Sequence, residues 1–243
     1  MISDSNSLKL IKTIHPGALT IIASAFDARP MSYVADGIPL GYEPAVTRAV
    51  CDRLGLEPVW HNLPMADFYT SLQSGKSDVV WFNQAITPER QAWAQFTRPY
   101  GVFDEAVLVR ADCTATTPQD LAGLRVGGLA NSTNLELAEQ FENVEIVAFP
   151  GSDQVLPEML DALRTGAIDA LIDDELVLLV AAEEDDRLRI AFSVPTRVPF
   201  GIAVNRDQPE LADALNRTLE ALIADGTLAQ LWATWIPWKP FPF

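Results

Sequence analysis

The chain has 243 residues, with 17 Lys+Arg against 33 Asp+Glu and a net charge of −16. Its 49% hydrophobic and 21% charged residues are the composition of a compact globular protein, long enough for one large core or two smaller ones. The acidic balance argues against nucleic acid or an anionic membrane surface as main partner, because both are held through Lys and Arg.

No apolar stretch reaches the roughly 20 residues that cross a bilayer. Residues 1–7 lack the basic and apolar regions of a secretory signal, so either such a signal was removed or the protein is cytoplasmic. Cys51 and Cys113 make no disulfide framework, and Cys51, in helical register with Val46, Val50 and Leu54, is expected in the core.

In chain order, the short apolar run 19–25 (LTIIASA) reads as a buried strand. Residues 26–39, with Pro30, Gly37 and Pro39, read as loop and turn. A helix is predicted over 44–54, stopped by Gly55, then a strand over 58–62, a short helix over 66–73 and a strand over 78–82. The pattern restarts with strands over 106–110 and 124–129, around a turn or short helix at 117–122. A helix from about 133 to 141, a strand over 144–149, a helix over 154–164 and a strand over 168–172 follow. The chain closes with a strand over 200–204 and helices over 209–223 and 227–236. Strands alternating with helices predict a mostly parallel sheet flanked by helices, repeated in two lobes with short crossings and no flexible linker.

Much familiar chemistry is missing. His15 and His61 have no Cys or carboxylate partners at ligand spacing, so no metal site and no Ser-His-Asp arrangement is indicated, and no glycine-rich phosphate loop is present. No cofactor is expected. Residues 183–186, all acidic, read as a solvated loop, whereas Asp173, Asp174 and Glu175 follow an apolar strand.

Three segments follow predicted strands, where open α/β sheets place ligands. In 83–90, Thr87 caps a helix that starts at Pro88 and puts Arg90 in the first turn, against the helix dipole. A cation placed there calls for an anion, either a ligand carboxylate or a neighbouring acid. In 131–134, Thr133 with Glu136 fits a capping box, and the helix start offers free N–H groups, for an anion or simply as a cap. Asp173 and Asp174 either hold an ammonium group or face solvent. Together an Arg, a helix start and an Asp form a receptor for a zwitterion, and no nucleophile with an adjacent base accompanies them.

Further markers are RPMSY (29–33), GIPLGYE (37–43), LQSGKSDVV (72–80), ITPER (86–90) and FTRPY (96–100). In the second half come DLAGLRVG (120–127), LRTGAIDA (163–170) and ADGTL (224–228) with Trp232 and Trp235. In this order, over about 17–236, the chain resembles the periplasmic solute-binding proteins of polar amino-acid ABC transporters, the type II, family 3 group. The resemblance implies a two-lobed α/β fold with residues 1–100 and 200–243 in lobe one, 101–199 in lobe two, and two hinge crossings. It implies that Arg90 grips a ligand α-carboxylate with backbone N–H groups of Ser132 and Thr133, and that Asp174 holds the α-ammonium. Backbone groups of Asn83 and Ala85 complete the shell, with Met65, Phe26 and Asp27 as pocket-lining candidates. Trp81, Phe82, Asn83 and Gln84 stand where the family usually has small residues, and Asn131-Ser132-Thr133 stands for its Gly-Thr-Thr. The implied function is capture of an amino acid by a monomer for uptake through ABC transporter membrane subunits, periplasmic or extracellular, with a lipid anchor as one form of attachment. Two rivals share the fold: a cyclohexadienyl dehydratase-like lyase, with Glu175 or Asp173 as candidate acid, and a ligand-sensing module.

Overall fold

The computed structural model describes residues 11–152 and 154–243; the reading of residues 1–7 falls outside them. Strands β1 (Ala18–Ala23), β4 (Glu57–Asn62) and β5 (Val79–Ala85) are parallel, with β1 in the middle. Strand β1, ALTIIA, is buried along almost its whole length because helices cover both its faces. The segment 26–39 is not all loop: β2 (Tyr33–Ala35) and β3 (Ile38–Leu40) pair as a hairpin, against expectation. These strands have only three residues each, too few to show an alternating pattern.

Helix α1 (Tyr42–Leu54) starts two residues before the predicted position. Its first N–H groups are taken by the preceding loop, Tyr42 N–H donating to Pro30 O at 3.1 Å and Glu43 N–H to Met31 O at 2.9 Å. Gly41, at φ 113°, permits this approach, since a Cβ there would lie 2.5 Å from Met31 O. Gly55 ends the helix in the left-handed conformation, as the sequence indicates. A single 3-10 turn (Met65–Asp67) leads into α2 (Phe68–Gln73), and α3 (Pro88–Trp93) follows β5.

Strands β6 (Gln95–Phe96) and β7 (Gly101–Arg110) come next; β7 is ten residues long, twice the predicted segment. The second lobe then adds β8 (Arg125–Leu129), α4 (Thr133–Ala138), β9 (Glu145–Phe149), α5 (Val155–Thr165) and β10 (Ala170–Asp174). Helix α6 (Glu175–Glu184) was not expected. The acidic run at its C-terminal end suggested loop, although Glu183 and Glu184 of the 183–186 run lie in the helix, exposed. Asp185 is buried instead, because Arg164 and Arg187 bind its carboxylate at 2.8 Å.

The largest departure is β11 (Leu188–Val204), 17 residues of which only the last five were read as strand. Pro195, Arg197 and Pro199 interrupt its sequence pattern, and the structure places Pro195 and Arg197 at a break in register: Val194 pairs with Glu105 and Val198 with Phe103, so three β11 residues face Asp104 alone, whereas Pro199 pairs with Val102. Helices α7 (Pro209–Ala224) and α8 (Thr227–Trp235) complete the chain near their predicted bounds.

One sheet, ordered β4-β1-β5-β11-β7-β10-β8-β9 with β6 against β11, runs through the molecule. Its outer strands are parallel, whereas β11 and β7 are antiparallel to each other and to their neighbours. They lie at the centre of the sheet, between its two parallel parts. One core joins α1, α7 and α8 to the first half of the sheet through Tyr42, Leu215, Leu219 and Trp232. A second contains Phe26, Phe82, Leu129 and Val177, so apolar side chains of both lobes meet beside the cleft.

Candidate functional site

The cleft holds an inner chamber of about 60 Å3 and an outer one of about 760 Å3. Arg90, Gln84, Met65 and Thr133 line both, so the two spaces adjoin. Asn83, Ala85, Ser132 and Asp174 line the inner chamber, as does Phe26. The structure thus brings Arg90, Asp174, Asn83, Ala85, Ser132, Thr133 and Met65 together. Asp27 is not among them: it pairs with Arg29 at 2.8 Å and lines a separate cavity of about 690 Å3.

Local sequence explains how Arg90 is aimed. Thr87 Oγ1 accepts the Arg90 N–H at 3.2 Å, Pro88 opens α3, and the guanidinium turns back to donate to Ala85 O at 3.4 Å. Among the described residues Arg90 has no ion-pair partner. Asn83 and Ala85 lie inside β5 rather than beyond it, with Asn83 in the left-handed region at φ 47°. Buried Glu43 holds that turn, because its Oε2 accepts the Asn83 N–H at 2.7 Å and the Tyr100 hydroxyl at 2.9 Å. Burial raises the Glu43 carboxyl to about 7, with these two hydrogen bonds opposing the rise.

In the opposite lobe, Ser132 rather than Thr133 caps α4: its Oγ accepts the Leu135 N–H at 3.1 Å. That corrects the capping box read at Thr133 and Glu136 and leaves Thr133 lining the cleft. Asp174 ends β10 and accepts hydrogen bonds from the Asn83 amide at 2.6 Å and the Asn134 amide at 3.3 Å. Asp173 accepts the Asn134 amide at 2.9 Å and the Asp174 N–H at 2.8 Å. Burial raises both carboxyls above their ordinary range; the charges of Asp173 and Glu105 raise Asp174 further, and Arg90 acts in the opposite sense. Glu175 turns away and pairs with Lys239, which also binds Asp104 at 2.8 Å.

Sequence reasoning missed Asn134, Glu43, Gln84 and Tyr69. Tyr69 donates to Gln84 Oε1 at 2.8 Å and Gln84 to Phe82 O at 2.7 Å, which fixes both side chains beside the outer chamber. The N-S-T-N run was the only local signal for Asn134. Among the described residues no three His, Cys, Asp or Glu side chains are placed to hold a metal ion, and no helix is long and apolar enough to cross a membrane.

A family model for bacterial extracellular solute-binding proteins, family 3, matches residues 20–237. The chain belongs to that family. The arginine-binding protein 1 of an ABC transporter from Escherichia coli (strain K12) is 29% identical over 204 residues, covering 82% of each chain. The L-cystine-binding protein TcyJ of the same strain is 28% identical over 211 residues, 85% of this chain and 78% of its own. The structure of an ancestral arginine-binding protein bound to glutamine superposes with a TM-score of 0.83 at 26% identity, over 90% of this chain and 98% of that one. The two-lobed binding-protein fold expected from the sequence is therefore the fold of this family member.

Proposed function

We propose that this family member captures an amino acid between its lobes and presents it to the membrane subunits of an ABC transporter. One observation carries the reading: Arg90 lacks an acidic partner among the described residues, and it shares a chamber of about 60 Å3 with Asp174 from the other lobe. A guanidinium matches both oxygens of a carboxylate, and a carboxylate matches an ammonium, so this spacing suits a zwitterion. The named ligands of the relatives — arginine, cystine and glutamine — share that head group and differ in side chain. In this reading the head group sits in the inner chamber and the side chain extends into the outer one, past Met65 and Tyr69.

The division of the chain into 1–100 with 200–243 and 101–199 fits the two central strands as crossings between the lobes, since β7 begins at Gly101 and β11 ends at Val204. The protein acts as a monomer, exported and either free or held by a lipid anchor. Calorimetry with the twenty amino acids and L-cystine tests the function. Saturable binding of at least one, lost on amidation of its carboxylate, is expected; no binding by any of them would overturn the reading.

A further inference from the structure

The C-terminal tail carries a cation that the zwitterion reading does not use. Its backbone is fixed to the first lobe. Trp232 Nε1 donates to Lys239 O at 2.7 Å, the Lys239 N–H donates to Ile236 O at 3.3 Å, and the Phe241 ring packs on Trp232 with centroids 6.0 Å apart. Pro237 and Pro240 restrict the backbone on either side. From that footing the Lys239 ammonium reaches Asp104 in β7 at 2.8 Å and Glu175, the first residue of α6. The Lys239, Asp104 and Glu175 side chains are 25%, 12% and 16% exposed, so the group is largely out of water. None of the three lines either chamber of the cleft. Leu176, next in α6, is buried in the core built by α1, α7 and α8. The rest of α6 packs on β7 and β10. Its first turn is thus held to the first lobe by one apolar and one charged contact.

We propose that Lys239 is a positioning residue for ligand capture: from the tail of the first lobe it holds α6 of the second, and so favours the closed cleft without touching the ligand. The reason lies in the two carboxylates. Within reach of one ammonium, Asp104 and Glu175 lie close to each other. With the ammonium in place each is paired; without it two like charges face each other where the lobes meet. A pair of this partial burial ranks between exposed and fully buried ones, so its loss costs roughly 5- to 30-fold in an equilibrium constant. A ligand that needs the closed form binds in proportion to the population of that form, so affinity falls with it. The factor is independent of the ligand's side chain. The proposal rests on the capture reading above and on its division of the chain into lobes.

The test is calorimetry with the twenty amino acids and L-cystine on the unaltered protein, Lys239→Met, Glu175→Gln and the two changes combined. Lys239→Met keeps the apolar stem and removes the charge. Each single variant should bind every ligand of the unaltered protein roughly 5- to 30-fold more weakly, by one factor whatever the side chain. The combined variant should lose less than the two single losses multiplied together, because both break the same pair. A loss confined to some side chains, or two losses that multiply in full, would overturn the proposal. So would unchanged affinity, even with a lower melting temperature, which is what a purely structural tail contact produces. If no amino acid binds the unaltered protein, the capture reading fails and scattering from the unliganded proteins decides this one. A larger radius of gyration in Lys239→Met then supports it, and an equal radius overturns it.

Discussion

At the scale of the residue, the cleft sets charges against each other across a small space. Arg90→Ala removes the single guanidinium lining the inner chamber. Truncating one partner of a buried charge pair costs about 2–5 kcal/mol, or roughly 30- to 4,000-fold in affinity. Calorimetry should show that loss with an unchanged melting temperature; unchanged affinity would remove Arg90 from the site. The Asp174 carboxyl is raised by burial and by its acidic neighbours. A ligand ammonium beside it favours the ionised form. Binding at mildly acidic pH should therefore release a proton, and affinity should fall as pH drops. Calorimetry in two buffers of different ionisation enthalpy reads that proton directly, and identical heats would count against an ammonium at Asp174. Glu43 gives a stability effect of defined sign. Its carboxyl moves from 4.5 to about 7 on burial, so the folded state holds a proton that the unfolded state releases first. Its contribution is full below about pH 4.5 and is lost as pH rises through 7, a difference of about 3 kcal/mol. Glu43→Gln should flatten that dependence in melts taken across this range, raising stability at high pH more than at low pH.

At the scale of the element, the close contact between β7 and β11 depends on one missing side chain. A Cβ on Gly101 would lie 2.0 Å from Phe200 Cζ, and Phe200 stacks on Phe103 with ring centroids 5.8 Å apart. Gly101→Ala should therefore destabilise the fold by about 1–3 kcal/mol, visible as a lower denaturant midpoint; an unchanged midpoint would mean that the ring swings aside without loss. The elements were unevenly legible. Helices α1, α5 and α7 announced themselves through local spacing and their terminal Gly or Pro. Arg90 was legible for the same reason, since Thr87 and Pro88 aim it from within four residues. Helix α6 and most of β11 were not, because a run of acids and two prolines carry loop signals that tertiary partners override: Arg164 and Arg187 for Asp185, and Asp104 for the Arg197 N–H at 2.9 Å. The Asn83–Asp174 pair spans 91 residues and the Glu43–Asn83 pair 40. Contacts so distant in sequence leave no periodic trace, which is why Asn83 was legible only as a backbone contributor and Asn134 only as part of the 131–134 segment.

At the scale of the whole molecule, among the described residues Asn83 to Asp174 and Arg29 to Glu184 at 3.6 Å are polar contacts across the cleft, and Lys239 ties the C-terminal tail to Asp104 and Glu175. The exposed pair of Arg29 and Glu184 contributes little, and a ligand that bridges the lobes would add to the preference for the closed form. Small-angle scattering should give a smaller radius of gyration with a saturating amino acid than without it. Identical profiles from a demonstrably ligand-free start would count against closure.

The register break in β11 bears on the mechanics of the closure expected on binding. Opposite Asp104, residues 195–197 stand outside the ladder, and Pro195 has no N–H to offer it. The loop they form is pinned by side chains instead: the Asp104 carboxylate takes the Arg197 N–H, and Glu105 accepts the Thr196 hydroxyl. The three unpaired residues here are more than β11 leaves at its other register shifts, and the sheet can bend at this place at little cost to its ladder. Side-chain tethers set the limits of that bending. Lys239 is one of them, reaching from the C-terminal tail to Asp104 at the break and to Glu175 at the start of α6. The far end of the chain thus works as a stay on the joint, one residue along from Asp174.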